Sequence, residues 1–413
     1  MQMLNSEINM KEVRLAIITD LNPDSNPGAN RIAFEFALSA QQFFETEFWT
    51  SASSSVSSSN ESSRKVQIRN IVVNERFSNF PRKSNAHKSF REFSSFRALL
   101  KVLFWVRDFR PTVIWVHQIG NVFPYTIFLL FRALRIHTIF TLHDFGVLVP
   151  RKLFPRDLNC GDSIELLPID QSNASLGELQ FQNSLKDRLA RARLLIQRLI
   201  LKKITLVSIS GMQKTILEAN GLKIDFVFAN GVNKCNCCKQ SMRDENSILF
   251  AGRLTGKGFQ KVVDVLNSCR KLHLHLAGKK ELENEAEKLL TSDRFTYHGE
   301  LKQKELNQLL HKVRFTAVLS ECFDVYPSLL LEAIAHGSYP LAYPTVGNSS
   351  ILRTVSNYLV SEYATPIDCS LLDRINKDTK LESRIRSVAE SLETFDESFE
   401  RYHKVIDSLH ARK

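Results

Sequence analysis

The sequence predicts an α/β protein made of two domains, each with a parallel sheet covered by helices. Short apolar strand segments alternate with helical segments from residue 247 to residue 342, and the same alternation runs from residue 13 to residue 219. Strands that alternate with helices form parallel sheets with helices on both faces. The length of 413 residues is sufficient for two domains of ordinary size.

In the N-terminal half, the predicted strands are 13–19, 113–116, 136–142 and 207–210. The first strand runs into a loop with a single glycine, Gly28, which leaves room for the backbone to approach a ligand closely. The second ends at His117 and the third at His143. A lone histidine at a strand end is most often a structural residue that satisfies its hydrogen bonds in the core. The other interpretation is a residue of a ligand site.

The C-terminal half begins with the segment SILFAGRLTGKGF, residues 247–259. A predicted strand runs into Gly252-Arg253, and Lys257-Gly258 open a predicted helix. Two cations at a strand-to-helix turn suit a diphosphate, because Arg binds phosphate bidentately and Lys supplies a compact charge. The alternative is a pair of solvated cations on a surface turn.

A second segment, CFDVYPSLLLEAIAHGSYPLA at residues 322–342, carries two carboxylates. Asp324 precedes a predicted helix and Glu332 lies inside it. Pro327 suits the first turn, where its missing N–H is not needed. The unpaired N–H groups that follow, together with the helix dipole, suit an anion. The alternative is a buried helix with an incidental Glu.

Both segments resemble motifs of the retaining GT-B glycosyltransferases of family 4, the glycosyl transferases group 1. The carboxylate segment resembles that family's signature of Glu, seven residues and Glu, with Asp324 in the first position and Glu321 as the alternative. The segment 252–258 resembles the family's GRL…KG motif, with one residue fewer between Arg and Lys. TLHDF at 141–145 and NGVN at 230–233 resemble further family segments.

The resemblance implies a GT-B fold, with two Rossmann-like domains facing across a cleft, and transfer of a sugar from a nucleotide to an acceptor with retention. It implies no metal and no cofactor, the nucleotide sugar being a co-substrate. Arg253 and Lys257 would bind the donor diphosphate, and Glu332 would bind the ribose. The candidate catalytic residues are His143, Asp324 and Glu332. The candidate donor-binding residues are Gly28, Arg253, Lys257, Tyr326, Ser328, Leu329 and Glu332.

The predicted domains are an acceptor-side domain, 1–222, and a nucleotide-sugar-binding domain, 223–385. A final helix, 386–413, is expected to cross back to the first domain, as the resemblance implies. Residues 51–65 are predicted to be a mobile loop, because nine serines between residues 51 and 63 cannot form a core.

Seven scattered cysteines and a polar N-terminus favour a reducing cytoplasm without a signal peptide. The net charge of +11 is concentrated in 82–110 and 186–203, with eight and seven Lys/Arg. Basic segments with aromatic residues can bind the anionic inner face of a membrane, which we predict for 82–110. The alternative is that both segments pack on their own sheet. No nucleic-acid module is recognised, and no nucleic-acid partner is expected.

The resemblance also suggests the acceptor, a glycan or a lipid-linked glycan of polysaccharide synthesis. Two other classes of function fit the same fold: a different enzyme, such as an epimerase or a phosphorylase, and a non-catalytic subunit. A nucleotide-sugar epimerase would release nucleotide and an altered sugar without an acceptor, and a phosphorylase would need a longer chain with a pyridoxal-binding Lys. A non-catalytic GT-B partner subunit would bind the donor weakly.

Overall fold

The computed structural model describes residues 13–20, 28–52, 67–72, 95–120, 122–148, 164–166, 179–181, 185–234, 243–254, 257–320, 324–343, 347, 350–356, 359–360 and 367–412. Within these residues the chain forms two compact units. The first unit contains the described residues up to Ala229 and again those from Phe395 onward. The second unit contains the described residues from Asn230 to Thr394.

The first unit contains a parallel sheet. Its strands are β1 (Arg14–Ile18), β2 (Glu45–Ala52), β3 (Gln67–Val72), β4 (Val113–Val116), β5 (His137–Leu142), β8 (Thr205–Ser208) and β9 (Phe226–Val227), while β6 (Ile164–Leu166) and β7 (Leu179–Phe181) form a separate antiparallel pair. The strand order is β3-β2-β1-β4-β5-β8-β9, so the order reverses between β1 and β4. Ligands of doubly wound sheets bind at such a switch point, beyond the carboxyl ends of the strands.

Helices cover this sheet. They are α1 (Ala29–Ala40), α2 (Phe96–Phe109), α3 (Ile127–Ala133), α4 (Leu185–Leu201), α5 (Gly211–Ala219) and the C-terminal helix (Phe395–His410). The C-terminal helix packs beside α1, where the Phe36 ring lies 5.4 Å from Phe395 and 5.3 Å from Tyr402. α3 contacts both α2 and α4. None of the described helices is both long enough and apolar enough to cross a membrane.

The second unit contains a second parallel sheet. Its strands are β10 (Asp244–Ala251), β11 (His273–Ala277), β12 (Phe295–Tyr297), β13 (Val313–Val318) and β14 (Tyr339–Ala342), in the order β12-β11-β10-β13-β14. The helices are α6 (Phe259–Ser268), α7 (Lys280–Leu289), α8 (Gln303–Lys312), α9 (Ser328–Ala335), α10 (Ser350–Val355), α11 (Cys369–Lys377) and α12 (Leu381–Ser391), with the C-terminal helix as α13. The switch point of this sheet lies between β10 and β13.

A disulfide between Cys269 and Cys369 joins the end of α6 to the start of α11. This bond differs from the prediction of reduced cysteines made from their scattered positions. The two cysteines lie 100 residues apart in the sequence, so their spacing gave no sign of the bond.

The predicted fold class is confirmed: both units are Rossmann-like, with parallel sheets and covering helices. The chain changes units at residues 229–230 and 394–395, whereas the sequence placed these points at 222–223 and 385–386. The first difference has a simple cause, since β9 pairs with β8 and so continues the first sheet. Most of the predicted serine-rich loop, and residues 82–94 of the basic segment, lie outside the described residues.

Candidate active site

The turn after β10 brings Lys257 to the carboxyl edge of the second sheet. Gly258 caps α6 with a φ of 77°. A Cβ atom at this position would lie 1.8 Å from the backbone oxygen of Leu319, the residue that follows β13. Only glycine therefore allows the turn to pack against the end of the neighbouring strand. This contact fixes Lys257 at the switch point between β10 and β13.

Lys257 forms an ion pair there with Asp324: its Nζ donates to Asp324 Oδ2. The Ser320 hydroxyl donates to the same oxygen at 3.1 Å. The side chains of Lys257 and Asp324 are 27% and 14% exposed, so solvent screens their attraction less than it would on an open surface. The structure thus brings together two candidate residues that come from different motifs of the sequence.

Glu332 lies on α9, which begins after the N-cap Pro327 and ends at His336 and Gly337. Glu332 is only 5% exposed, and it is the one carboxylate among the apolar buried residues of this helix. A carboxylate is seldom buried unless it has a polar partner or a task, because desolvation of the charge is unfavourable. Three other predicted residues lie partly buried at the start of the same helix: Tyr326, Ser328 and Leu329.

Arg253 is exposed in the segment between β10 and α6. No hydrogen bond or ion pair joins its side chain to a residue that the structure describes. Glu321, the alternative to Asp324, lies outside the described residues.

The first unit carries a pair of histidines at its own carboxyl edge. His117 follows β4 and His143 follows β5, and His117 Nδ1 lies 2.8 Å from His143 Nε2. The two ring planes are 16° from parallel and their centroids are 5.1 Å apart, as expected for a hydrogen bond in the plane of the rings. Burial lowers the pKa of His143 to about 3, and burial together with the charge of His143 lowers the pKa of His117. Both rings are therefore neutral at pH 7.

Polar residues that the sequence analysis did not select lie beside this pair. The Asp20 carboxylate follows β1 and accepts hydrogen bonds from the backbone N–H groups of Val122 and Phe123, at 3.1 and 2.9 Å. Asp144 accepts from the Gly146 N–H at 2.7 Å. Both carboxylates lie just after a strand, and this position in the sequence could have identified them as candidate site residues. Their hydrogen bonds to backbone N–H groups shape the loops that hold the histidines.

Gly28 is the N-cap of α1, with a φ of 106°. A Cβ atom there would meet no atom of the described residues within 4 Å. The need for glycine at this position is thus conformational, since L side chains rarely adopt this φ. The preceding residues 21–27 lie outside the described part of the chain.

Comparison with known proteins identifies a family domain in the second unit. Residues 239–389 match the family model for glycosyl transferases group 1, so the second unit contains a domain of that family. The match includes Arg253, Lys257, Asp324 and Glu332. The search of curated protein sequences found no significant match.

Solved structures match the whole chain. The HepE protein of Anabaena, solved with UDP and glucose, superposes with a TM-score of 0.67 at 14% identity, over 96% of this chain and 100% of HepE. A sucrose-phosphate synthase from Thermosynechococcus elongatus gives 0.68 at 15% identity, over 97% and 100%. A structure assigned as a UDP-N-acetylglucosamine 2-epimerase from Listeria monocytogenes gives 0.52 at 12%, over 97% of each chain. The fold is therefore that of the GT-B glycosyltransferases.

Proposed function

We propose that this protein transfers a sugar from a nucleotide to an acceptor. The observation that carries the proposal is the Lys257–Asp324 pair at the switch point of a group 1 glycosyltransferase domain. A cation and a carboxylate at this edge suit a ligand with a diphosphate and a hydroxylated sugar.

The two cations would act on the leaving group. As the bond between the anomeric carbon and the phosphate oxygen breaks, negative charge grows on the diphosphate. Lys257 and Arg253 would stabilise that charge, and such electrostatic stabilisation is often the largest contribution to catalysis. On donor binding, Lys257 would share its charge between Asp324 and the phosphate.

The other predicted residues would orient the donor. We propose that Glu332 accepts hydrogen bonds from the ribose hydroxyls and that Asp324 binds hydroxyls of the transferred sugar. Tyr326, Ser328 and Leu329 would complete the part of the donor site that the second unit supplies. For the first unit we propose that His143 binds a sugar hydroxyl and that Gly28 binds the donor. The proposed stereochemistry is retention, as in family 4, with no metal and no cofactor, and we assign no protein nucleophile.

The comparisons support a UDP-sugar as the donor to test first, since HepE was solved with UDP and with UDP-glucose. For the acceptor we propose a glycan or lipid-linked glycan of polysaccharide synthesis, made at the cytoplasmic side of a membrane.

Turnover of a donor panel tests the proposal. Purified protein would be incubated with UDP-, GDP-, ADP- and CMP-sugars, and release of the nucleotide and of the sugar would be followed. One nucleotide class should be hydrolysed slowly to free sugar with no acceptor added. Lys257→Ala should reduce the rate about tenfold to a hundredfold, the equivalent of one charge-assisted hydrogen bond. Lys288→Ala, which removes an exposed lysine of the same unit, should not.

Two results would contradict transfer. Release of an altered sugar from the donor would indicate the epimerase reaction. Absence of both binding and hydrolysis for every donor would favour the non-catalytic partner subunit.

We also propose a membrane-facing surface, the basic face, formed by the exposed sides of α2, α3 and α4. Of twelve exposed large hydrophobic side chains among the described residues, nine lie on or directly after these helices. They are Phe96, Leu100, Leu103, Phe104, Leu129, Leu134, Leu195, Ile196 and Leu199. The exposed cations on or directly after the same helices are Arg97, Lys101, Arg107, Arg110, Arg132, Arg135, Arg188, Arg191, Lys202 and Lys203.

The charge of the basic face determines the partner that we propose. Asp108, the exposed carboxylate of α2, is paired with Arg69, and the other exposed charges described on α2 to α4 are positive. Apolar side chains mixed with cations bind anionic lipid through both burial and attraction to the headgroups. The proposed surface is wider than the predicted segment 82–110, because α3 contacts both α2 and α4.

Vesicle sedimentation tests the basic face. The protein should sediment with vesicles containing phosphatidylglycerol and less with phosphatidylcholine alone, and salt should weaken the binding. Phe104→Ser with Leu199→Ser should reduce sedimentation, whereas Leu289→Ser, an exposed leucine of the second unit, should not. Equal sedimentation of the double variant would refute the assignment, as would a dimer in solution that the double variant dissociates.

A further inference from the structure

We propose that His117 is a positioning residue. It donates a hydrogen bond from Nδ1 to Nε2 of His143, fixes the orientation and tautomer of that ring, and leaves Nδ1–H of His143 as a donor to the ligand. The inference rests on the proposed function for the nature of the ligand, a sugar hydroxyl that accepts this hydrogen bond. The hydrogen bond between the rings stands on the geometry alone.

The distance between the two rings couples their tautomers. His117 Nδ1 and His143 Nε2 are 2.8 Å apart, so one nitrogen carries the proton and the other accepts the hydrogen bond. In a neutral imidazole, one nitrogen is a donor and the other an acceptor. If His117 Nδ1 donates, the proton of His143 is on Nδ1. If His143 Nε2 donates, the proton of His117 must be on Nε2.

The surroundings of His117 decide between these arrangements. His117 is 1% exposed, and its Nε2 has no hydrogen-bond partner in the part of the chain that the structure describes. Its ring lies 4.5 Å from the Trp115 ring and 6.0 Å from the Phe36 ring, between centroids. A buried N–H without an acceptor is rarer in proteins than an acceptor without a donor. The proton of His117 is therefore assigned to Nδ1, and that of His143 to Nδ1.

The strands behind the pair hold this arrangement in place. β4 and β5 are hydrogen-bonded neighbours, and the His117 backbone N–H donates to the Ile18 carbonyl at 2.9 Å. Trp115, which lies against the His117 ring, donates from Nε1 to Thr141 Oγ1 at 2.9 Å. His117 is thus fixed by backbone and by packing, and it can orient the partly exposed His143.

Nuclear magnetic resonance of the free protein tests the assignment directly. Protein labelled with ¹⁵N in histidine gives the protonated nitrogen of each ring in a long-range ¹H–¹⁵N spectrum, with His143→Gln identifying the signals. We expect His143 with its proton on Nδ1. A proton on Nε2 of His143 would overturn the proposal. Because no donor is needed, this result does not depend on the proposed function.

Two substitutions at His117 separate positioning from structural support. Asn places its amide nitrogen near the position of Nδ1 and can still donate, whereas Phe fills the space without a donor. With the donor that is turned over, His117→Phe should lower kcat/KM about tenfold or more, as loss of an outer-shell partner commonly does. His117→Asn should restore most of it and keep the tautomer of His143.

Unchanged kcat/KM in His117→Phe would overturn the proposal, as would equal losses in both variants with an unchanged tautomer. Failure of the proposed function looks different: the His143 tautomer would be as expected, but the unmutated protein would turn over no nucleotide sugar.

Discussion

Lys257 and Asp324 come from segments far apart in the sequence, and the fold joins their charges at one sheet edge. The sequence predicted both residues, because each stands in a motif at a strand end. It did not predict that they pair with each other. That pairing depends on the order β10-β13 and on side-chain conformations, which no local pattern encodes. The His117–His143 pair escaped prediction for the same reason.

Gly258 gives a residue-scale prediction. Gly258→Ala should destabilise the second unit strongly, because its Cβ would lie 1.8 Å from the Leu319 backbone oxygen and its φ is 77°. Gly299→Ala is the matched control, with a φ of 72° and no atom within 4 Å. The free energy of unfolding of the control should fall only by the cost of a left-handed residue, about 1–2 kcal/mol. Urea unfolding measures both, and equal losses would contradict the close packing of the turn.

At the scale of elements, the strongly patterned strands and helices could be predicted, and the weakly patterned ones could not. β4 is buried at every position, and its apolar run VIWV is typical of a central parallel strand. β9 has two residues and β6 has three, too few to show a period. The domain change was therefore placed before β9 rather than after it.

The disulfide between α6 and α11 gives an element-scale prediction. A bond that closes a loop of 100 residues should stabilise by about 4–5 kcal/mol in the chain-entropy model, by restricting the unfolded chain. Urea unfolding with and without dithiothreitol should show this loss. Cys369→Ala should be as unstable without reductant as the unmutated protein is with it. A free thiol count showing both cysteines reduced in the native protein would contradict the bond.

At the scale of the whole molecule, several histidines are held neutral in the folded protein. Burial lowers the pKa of His143 to about 3 and, with neighbouring histidines, the pKa values of His275 and His336 to about 4. The unfolded chain takes up these protons near pH 6.5, whereas the folded protein does not. The contribution of these histidines to the free energy of unfolding should therefore be fully present above about pH 6.5. It should be lost as the pH falls towards 4.

Melting temperatures between pH 8 and pH 4 test this pH dependence. Each histidine adds at most about 1.4 kcal/mol per pH unit to the slope. His143→Gln should give a shallower loss than the unmutated protein. A melting temperature that stays constant or rises from pH 7 to pH 5 would show that these histidines are not neutral in the fold.

The most direct test of the central claim is calorimetric titration of the protein with UDP, and with GDP, ADP and CMP in parallel. The account predicts that one nucleotide binds and that Lys257→Ala weakens its binding at least tenfold, while Lys288→Ala binds as the unmutated protein does. Equal affinity of the Lys257→Ala variant, or no binding of any nucleotide, would contradict a donor site at the Lys257–Asp324 pair.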